Sequence, residues 1–258
     1  MLHFTSVELN ALITGFMWPL TRILGLIATA PLFSNVSIPR RVKVALGILL
    51  AMIVAPMVEV PAGLEPMSMQ GLIILMQQML IGVAMGFSMR VIFSAVELGG
   101  EVASMTMGLG FATFFNPQSQ GRSNAVSQLL SLLTLMVYLA ADVHLALLST
   151  LVESFRTMPI TVGPMSGNIA EQVVHWAGRL FSAGLQLSLP IVAALLITNM
   201  ALGILTRAAP QLNLFGIGFP ITLAVGFSMI GLTLPYLATP LATLFQEAIV
   251  TIRQLAGG

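Results

Sequence analysis

Between residues 180 and 246 the chain carries a single charged side chain, Arg207. A soluble domain keeps itself dissolved with a charged surface, about a quarter of its residues. A run this long without charge requires lipid or other apolar helices around it. Further uncharged runs cover 9–21, 23–39, 44–58, 66–89, 102–121 and 123–141. The whole chain of 258 residues holds 10 Lys+Arg and 9 Asp+Glu, and 57% of it is hydrophobic. This excludes a soluble globular enzyme and a disordered chain. It also excludes a nucleic-acid binder, because a net charge of +1 spread along the chain supplies no basic patch. With no cysteine there is no disulfide framework, thiolate nucleophile or Cys-ligated metal.

A bilayer core takes about 20 apolar residues of helix to cross. By that ruler six spans are expected, at about 9–33, 42–58, 68–95, 124–152, 177–206 and 214–235, with an amphipathic tail after Pro235 and Pro240. No Lys or Arg precedes Arg22, so the first segment lacks the basic start of a cleaved signal and reads as a retained helix. If the spans alternate, Arg40, Arg41, Lys43, Arg90, Arg122 and Arg207 fall on one side and Arg156, Arg179 and Arg253 on the other. That bias tilts both termini outward. The stretch 98–121 is apolar but dense in Gly and Phe, and does not read as an ordinary span.

Catalytic motifs are missing. There is no phosphate-binding G-x-x-x-x-G-K-[ST], no H-E-x-x-H and no G-x-S-x-G, and His3, His144 and His175 have no helical metal spacing. The chain is therefore expected to be no enzyme and to hold no cofactor or metal. A small-molecule secondary transporter, the rival reading, needs convergent ionisable residues at the midplane and usually an internal repeat, and neither is evident.

Four features remain. Arg22 lies inside an apolar segment, where a charge is costly. It either contacts carbonyls or an acid inside a bundle or snorkels from a helix kinked near Pro19. Arg90, Glu97 and Glu101 fall within about 20° of one line on an unbroken helix. That charged face suits a solvated helix end or a partner's cations. Asp142 and His144 read as a capped or solvated helix end, since two positions apart they share no face. Finally, Gly82 and Gly86 form a G-x-x-x-G pair, and Gly100, Ser104, Gly108 and Ala112 continue small residues at every fourth position, the pattern of close helix packing. Asn199 suits an interhelical hydrogen bond. Arg207, Pro210 and Gln211 mark the turn of a helical hairpin, and Gly216, Gly218 and Pro220 allow close approach at the start of its second arm.

The small-residue ladder enters a segment holding Met105, Met107, Gly108, Gly110, Phe111, Phe114, Phe115, Asn116 and Pro117. Its glycines loosen a helix and Asn116-Pro117 stops it. Such an apolar flap could close a pore by contact and dewetting. It could equally be an ordinary core segment, because Phe and Met fill membrane interiors everywhere.

Several stretches, in order along the chain, resemble the FliR family of flagellar biosynthetic proteins. They are Trp18-Pro19 with Arg22, then Thr29-Ala30-Pro31, then Ile38-Pro39-Arg40-Arg41-Val42-Lys43. Gln77-Gln78, Ile81-Gly82 and Gly86-Phe87 follow, then Met107-Gly108 with Phe111-Ala112-Thr113-Phe114 and Pro117. The most specific pairing is Arg207-Ala208-Ala209-Pro210-Gln211-Leu212 with Ile217-Gly218-Phe219-Pro220. The resemblance implies an all-α polytopic membrane protein. Residues 1–176 would be a FliP-like helical part and 177–258 a FliQ-like helical hairpin, within a hetero-oligomeric helical assembly. It implies a core subunit of the flagellar type III export gate, in the bacterial inner membrane at the flagellar basal body, or the matching subunit of a virulence system. FliP-type and FliQ-type subunits would share the complex, FlhB-type and FlhA-type proteins would complete the apparatus, and unfolded flagellar proteins would pass through. The matching segment of the family, about 105–117, is the plug of the closed pore. Asn116 stands here where relatives can carry an acid.

Overall fold

The computed structural model describes residues 6–59, 65–110, 125–163, 169–209 and 214–257. Among them every regular element is helical. The α-helices are α1 (Ser6–Thr29), α2 (Pro31–Ser34), α3 (Arg40–Val54), α4 (Met69–Thr106), α5 (Ala125–Ala140), α6 (Val143–Thr157), α7 (Ile169–Ala177), α8 (Arg179–Ala208), α9 (Leu214–Thr233) and α10 (Ala238–Leu255). Short 3₁₀ turns at Ala55–Met57 and Leu234–Tyr236 follow α3 and α9, each with a proline in its first turn.

Met69–Thr106, Ile169–Ala208 and Gly216–Tyr236 are long and apolar enough to cross a membrane, and α5 with α6 qualifies only as a broken pair. Among the described residues the six expected spans therefore become three or four. In α1 the apolar stretch Ile13–Thr29 falls short of the others. Helix α3 has 15 residues, about 22 Å at about 1.5 Å each, against a hydrocarbon core of about 30 Å. Pro39 at its N-cap and Pro56 just after its end set that length.

The expected span at 124–152 is broken at Ala141-Asp142. Asp142 adopts a left-handed conformation, φ 53° and ψ 24°, which ends one helix and starts the next. Aspartate is among the few side chains that tolerate that region. It is exposed, as a solvated helix end should be.

The chain forms two compact units. The first comprises Met1–Val91, Asp142–Ala177 and Phe245–Gly258, and the second Ile92–Ala141 and Gly178–Leu244. In the first, α1 packs on α3, and its core includes Trp18, Ile23, Leu26, Ile74 and Met85. Helix α7 is tied in by the Trp176 indole, whose Nε1–H donates to the Ser88 carbonyl of α4 at 2.8 Å. In the second unit Ala103, Met107, Val126, Ile191, Leu195 and Ile230 make one buried cluster.

Of the stretch 98–121, residues 98–106 are the last turns of α4, and 111–121 lie outside the described residues. The 38 residues of α4 run unbroken through Gly99-Gly100 to Thr106. Two glycines inside a helix cost about 1 kcal/mol each relative to alanine. Packing offsets this. A Cβ on Gly99 would sit 2.9 Å from the Gly184 carbonyl oxygen of α8, and one on Gly100 would sit 2.7 Å from the Ser127 Cα of α5. Both positions are places where backbone meets backbone.

Candidate functional site

Arg22 is the one cation that is fully buried among the described residues, with 0% of its surface exposed. This settles its placement in favour of contacts inside the bundle. Its Nε donates to Gln78 Oε1 of α4 at 2.8 Å. Its Nη1 donates to the Ser154 carbonyl at 2.8 Å and to Ser154 Oγ at 3.0 Å, and its Nη2 to the Met158 carbonyl at 2.9 Å. Ser154 Oγ donates its own proton to the Leu151 carbonyl, so a lone pair faces the guanidinium. The Phe155 ring covers the charge, its centre 4.2 Å from Cζ.

No carboxylate pairs with Arg22 among the described residues. The compensation is the C-terminal end of α6, where Met158 is the C-cap. Unpaired carbonyls there carry roughly half an elementary negative charge. A cation over an aromatic face adds about 0.5–2 kcal/mol. The sequence marked Arg22, and Gln78 only as part of the Gln77-Gln78 stretch of the family resemblance; it did not mark Ser154, Phe155 or Met158, because neutral partners carry no charge signal.

The same helices touch through glycine. Gly82 leaves room for the Arg22 carbonyl oxygen, and Gly86 for Thr29 and the Leu26 carbonyl oxygen. From the other side, a Cβ on Gly25 would sit 2.8 Å from the Met79 carbonyl oxygen. So the G-x-x-x-G pair seats α1 on α4 within this chain. Gly100 and Ser104 are buried, the first against Ser127. Asn199 and Arg207 are exposed on α8, Gly216 and Pro220 are exposed on α9 and Gly218 is buried. Pro210 and Gln211 lie outside the described residues. Arg90, Glu97 and Glu101 are each exposed on α4, with Arg90 donating to Ser34 Oγ at 3.5 Å and Glu97 accepting from Ser131 Oγ at 3.4 Å.

Of the flap residues, Met105, Met107, Gly108 and Gly110 are described, while Phe111, Phe114, Phe115, Asn116 and Pro117 lie outside the described residues. Gly108 has φ 88°. Its N–H bonds the Met105 carbonyl, and the Leu109 N–H bonds the Ser104 carbonyl, at 3.0 and 3.1 Å. This is a Schellman closure, in which a left-handed glycine lets the chain fold back on the last helical carbonyls. The two methionines differ sharply: Met105 is 61% exposed and Met107 0%. Two α9 residues that the sequence did not single out, Thr222 and Gly226, contact Met107. Among the described residues no cluster of His, Asp or Glu could hold a metal.

Long apolar helices seated on one another by glycine, around a buried arginine satisfied without an acid, define an all-α polytopic membrane protein. The chain belongs to the family described as Bacterial export proteins, family 1, which matches residues 13–248. It is 42% identical over 248 residues to the flagellar biosynthetic protein FliR of Pectobacterium carotovorum, covering 96% of this chain and 94% of that one. The same share of both chains aligns at 40% identity with FliR of Escherichia coli. FliR of Bacillus subtilis is 27% identical over 249 residues, 95% of each chain.

Proposed function

We propose that this chain is a core subunit of the flagellar type III export gate. It helps to form and close the central channel through which unfolded flagellar proteins leave the cell. The observation that carries this reading is the match to flagellar relatives over nearly the full length of both chains, at 40–42% identity. The role is structural: the chain shapes and seals a passage and performs no chemistry on the substrate.

In this reading residues 1–176 are the FliP-like part and 177–258 the FliQ-like hairpin, assembled with FliP-type and FliQ-type subunits in the inner membrane at the basal body. FlhB-type and FlhA-type proteins complete the apparatus. The hairpin's bare flanks support partners outside the chain. Buried residues make up 67% of the apolar window of Met69–Thr106, but only 28% of Ile169–Ala208 and 22% of Gly216–Tyr236. Leu185, Leu189, Ile197, Met200 and Ile204 all stand exposed on α8. The segment 105–117 is the plug, continuing from the closed end of α4.

Purification of the tagged chain in mild detergent, with identification of what accompanies it, tests the assembly. Two small hydrophobic subunits of the FliP and FliQ types are expected. A chain that purifies alone and transports a small solute by itself would overturn the reading.

A further inference from the structure

We infer that Met107, Thr222 and Gly226 form a fixed root at the end of α4, a seat in which Met107 stays put while the chain beyond Gly108 does its work. The inference rests on the gate reading above.

Thr222 and Gly226 stand one turn apart on one face of α9. Gly226 supplies a notch. A Cβ there would lie 2.5, 2.6 and 2.7 Å from Met107 Cγ, Cε and Sδ, so the thioether fills the space that a side chain would take. Thr222 supplies a tether: its Oγ1 donates to the Met107 carbonyl at 3.2 Å, and to the Phe219 carbonyl of its own helix at 3.0 Å. The Met107 carbonyl is one of the last-turn acceptors that a helix leaves unpaired. Helix α4 is thus closed by its own chain at Ser104 and Met105, and by α9 at Met107.

The rest of the seat is apolar. Ala103, Val126, Ile191, Leu195 and Ile230 share one buried cluster with Met107. Withdrawing its side chain would leave a buried void among them, which close-packed interiors resist. Immediately afterwards Gly108 takes φ 88°, which sets the direction in which the chain departs. An adaptable thioether in a glycine notch, followed at once by a left-handed glycine, is the construction of a fixed post carrying a turn. Thr222 and Gly226 are therefore positioning residues for the plug. Met107 belongs to the post, whereas the exposed Met105 does not.

The test uses the whole complex. The chain has no cysteine, so Met107→Cys with Gly226→Cys introduces the only pair within it. Oxidation in membranes is expected to join the two positions, read as a mobility shift of this chain lost on reduction. Export of flagellar substrate by the oxidised complex should match that of the reduced one. Failure to crosslink, or export that is lost on oxidation and recovered on reduction, would overturn a fixed root. In a second arm, Gly226→Leu, which drives Met107 out of its notch, should raise ion leak through the assembled complex to the level given by deletion of 111–116. If the deletion leaks but Gly226→Leu does not, the root is wrong and the plug stands. If the deletion does not leak, the plug reading fails, and crosslinking and export still judge the seat.

Discussion

Arg22 Nε and Gln78 Oε1 meet at 2.8 Å, joining α1 to α4 at the point where the Gly82 notch brings the two backbones together. The charge, the amide and the glycine act on one contact. A guanidinium can reach Gln78, Ser154 and Met158 at once because its donors fan out from a planar fork. Lysine, with a point charge on a flexible stem, cannot.

Arg22→Met keeps much of the volume and removes the donors. It strands the Met158 carbonyl and the Gln78 amide oxygen, and leaves the Ser154 carbonyl with only the Met158 N–H, at a cost of about 2–4 kcal/mol. Arg22→Lys should recover only part of this. Thermal dissociation of the purified complex, compared among parent and both variants, reads the order. A methionine variant as stable as the parent would show that the hydrogen bonds contribute nothing net.

Glycines should divide by what surrounds them. Gly82→Ala drives a methyl into the Arg22 carbonyl oxygen and should abolish accumulation of the folded chain. Gly203 in α8 has nothing within 4 Å of where a Cβ would stand. Gly203→Ala should be neutral, or stabilising by about 0.5–1 kcal/mol through helix propensity. Membrane levels of the two variants, measured side by side, check the contrast.

At the break between α5 and α6, Asp142 holds a left-handed backbone without a side-chain cap. Asp142→Gly should therefore stabilise by up to about 1 kcal/mol, and Asp142→Val destabilise by about 1–2 kcal/mol. The order of melting midpoints among these variants and the parent is the check. A valine variant that melts with the parent would deny that the left-handed turn is maintained.

Trp176→Phe keeps the ring in the α7–α4 contact and removes the indole donor, leaving the Ser88 carbonyl with its own helical bond, which should cost about 0.5–1.5 kcal/mol. Faster hydrogen exchange across 169–177, with 40–54 unchanged, is the expected signature of a loosened α7. Unchanged exchange there would show that the indole bond holds nothing.

Charge and apolar runs made the all-helical membrane class legible, because lipid forbids long charged or unpaired segments. The small-residue spacing of Gly82 and Gly86 marked close packing, since only missing side chains let backbones meet. What the sequence hid were the relationships without a pattern. Nothing marks Ser154 or Met158 as acceptors for Arg22, because their carbonyls are common to every residue. Gly226 looks like any membrane glycine until Met107 is found in its notch. The span count was overdrawn for a related reason: hydropathy registers apolar length, but not the proline that ends α3 or the left-handed Asp142 that divides 124–152.

Ion conductance of the assembled complex tests most directly the proposed closure of an export channel by this chain. Complexes carrying the parent chain and the 111–116 deletion should be reconstituted in parallel, with assembly confirmed for both. The parent is expected to be closed and the deletion to conduct. An assembled deletion complex that conducts no more than the parent would show that 111–116 closes no channel.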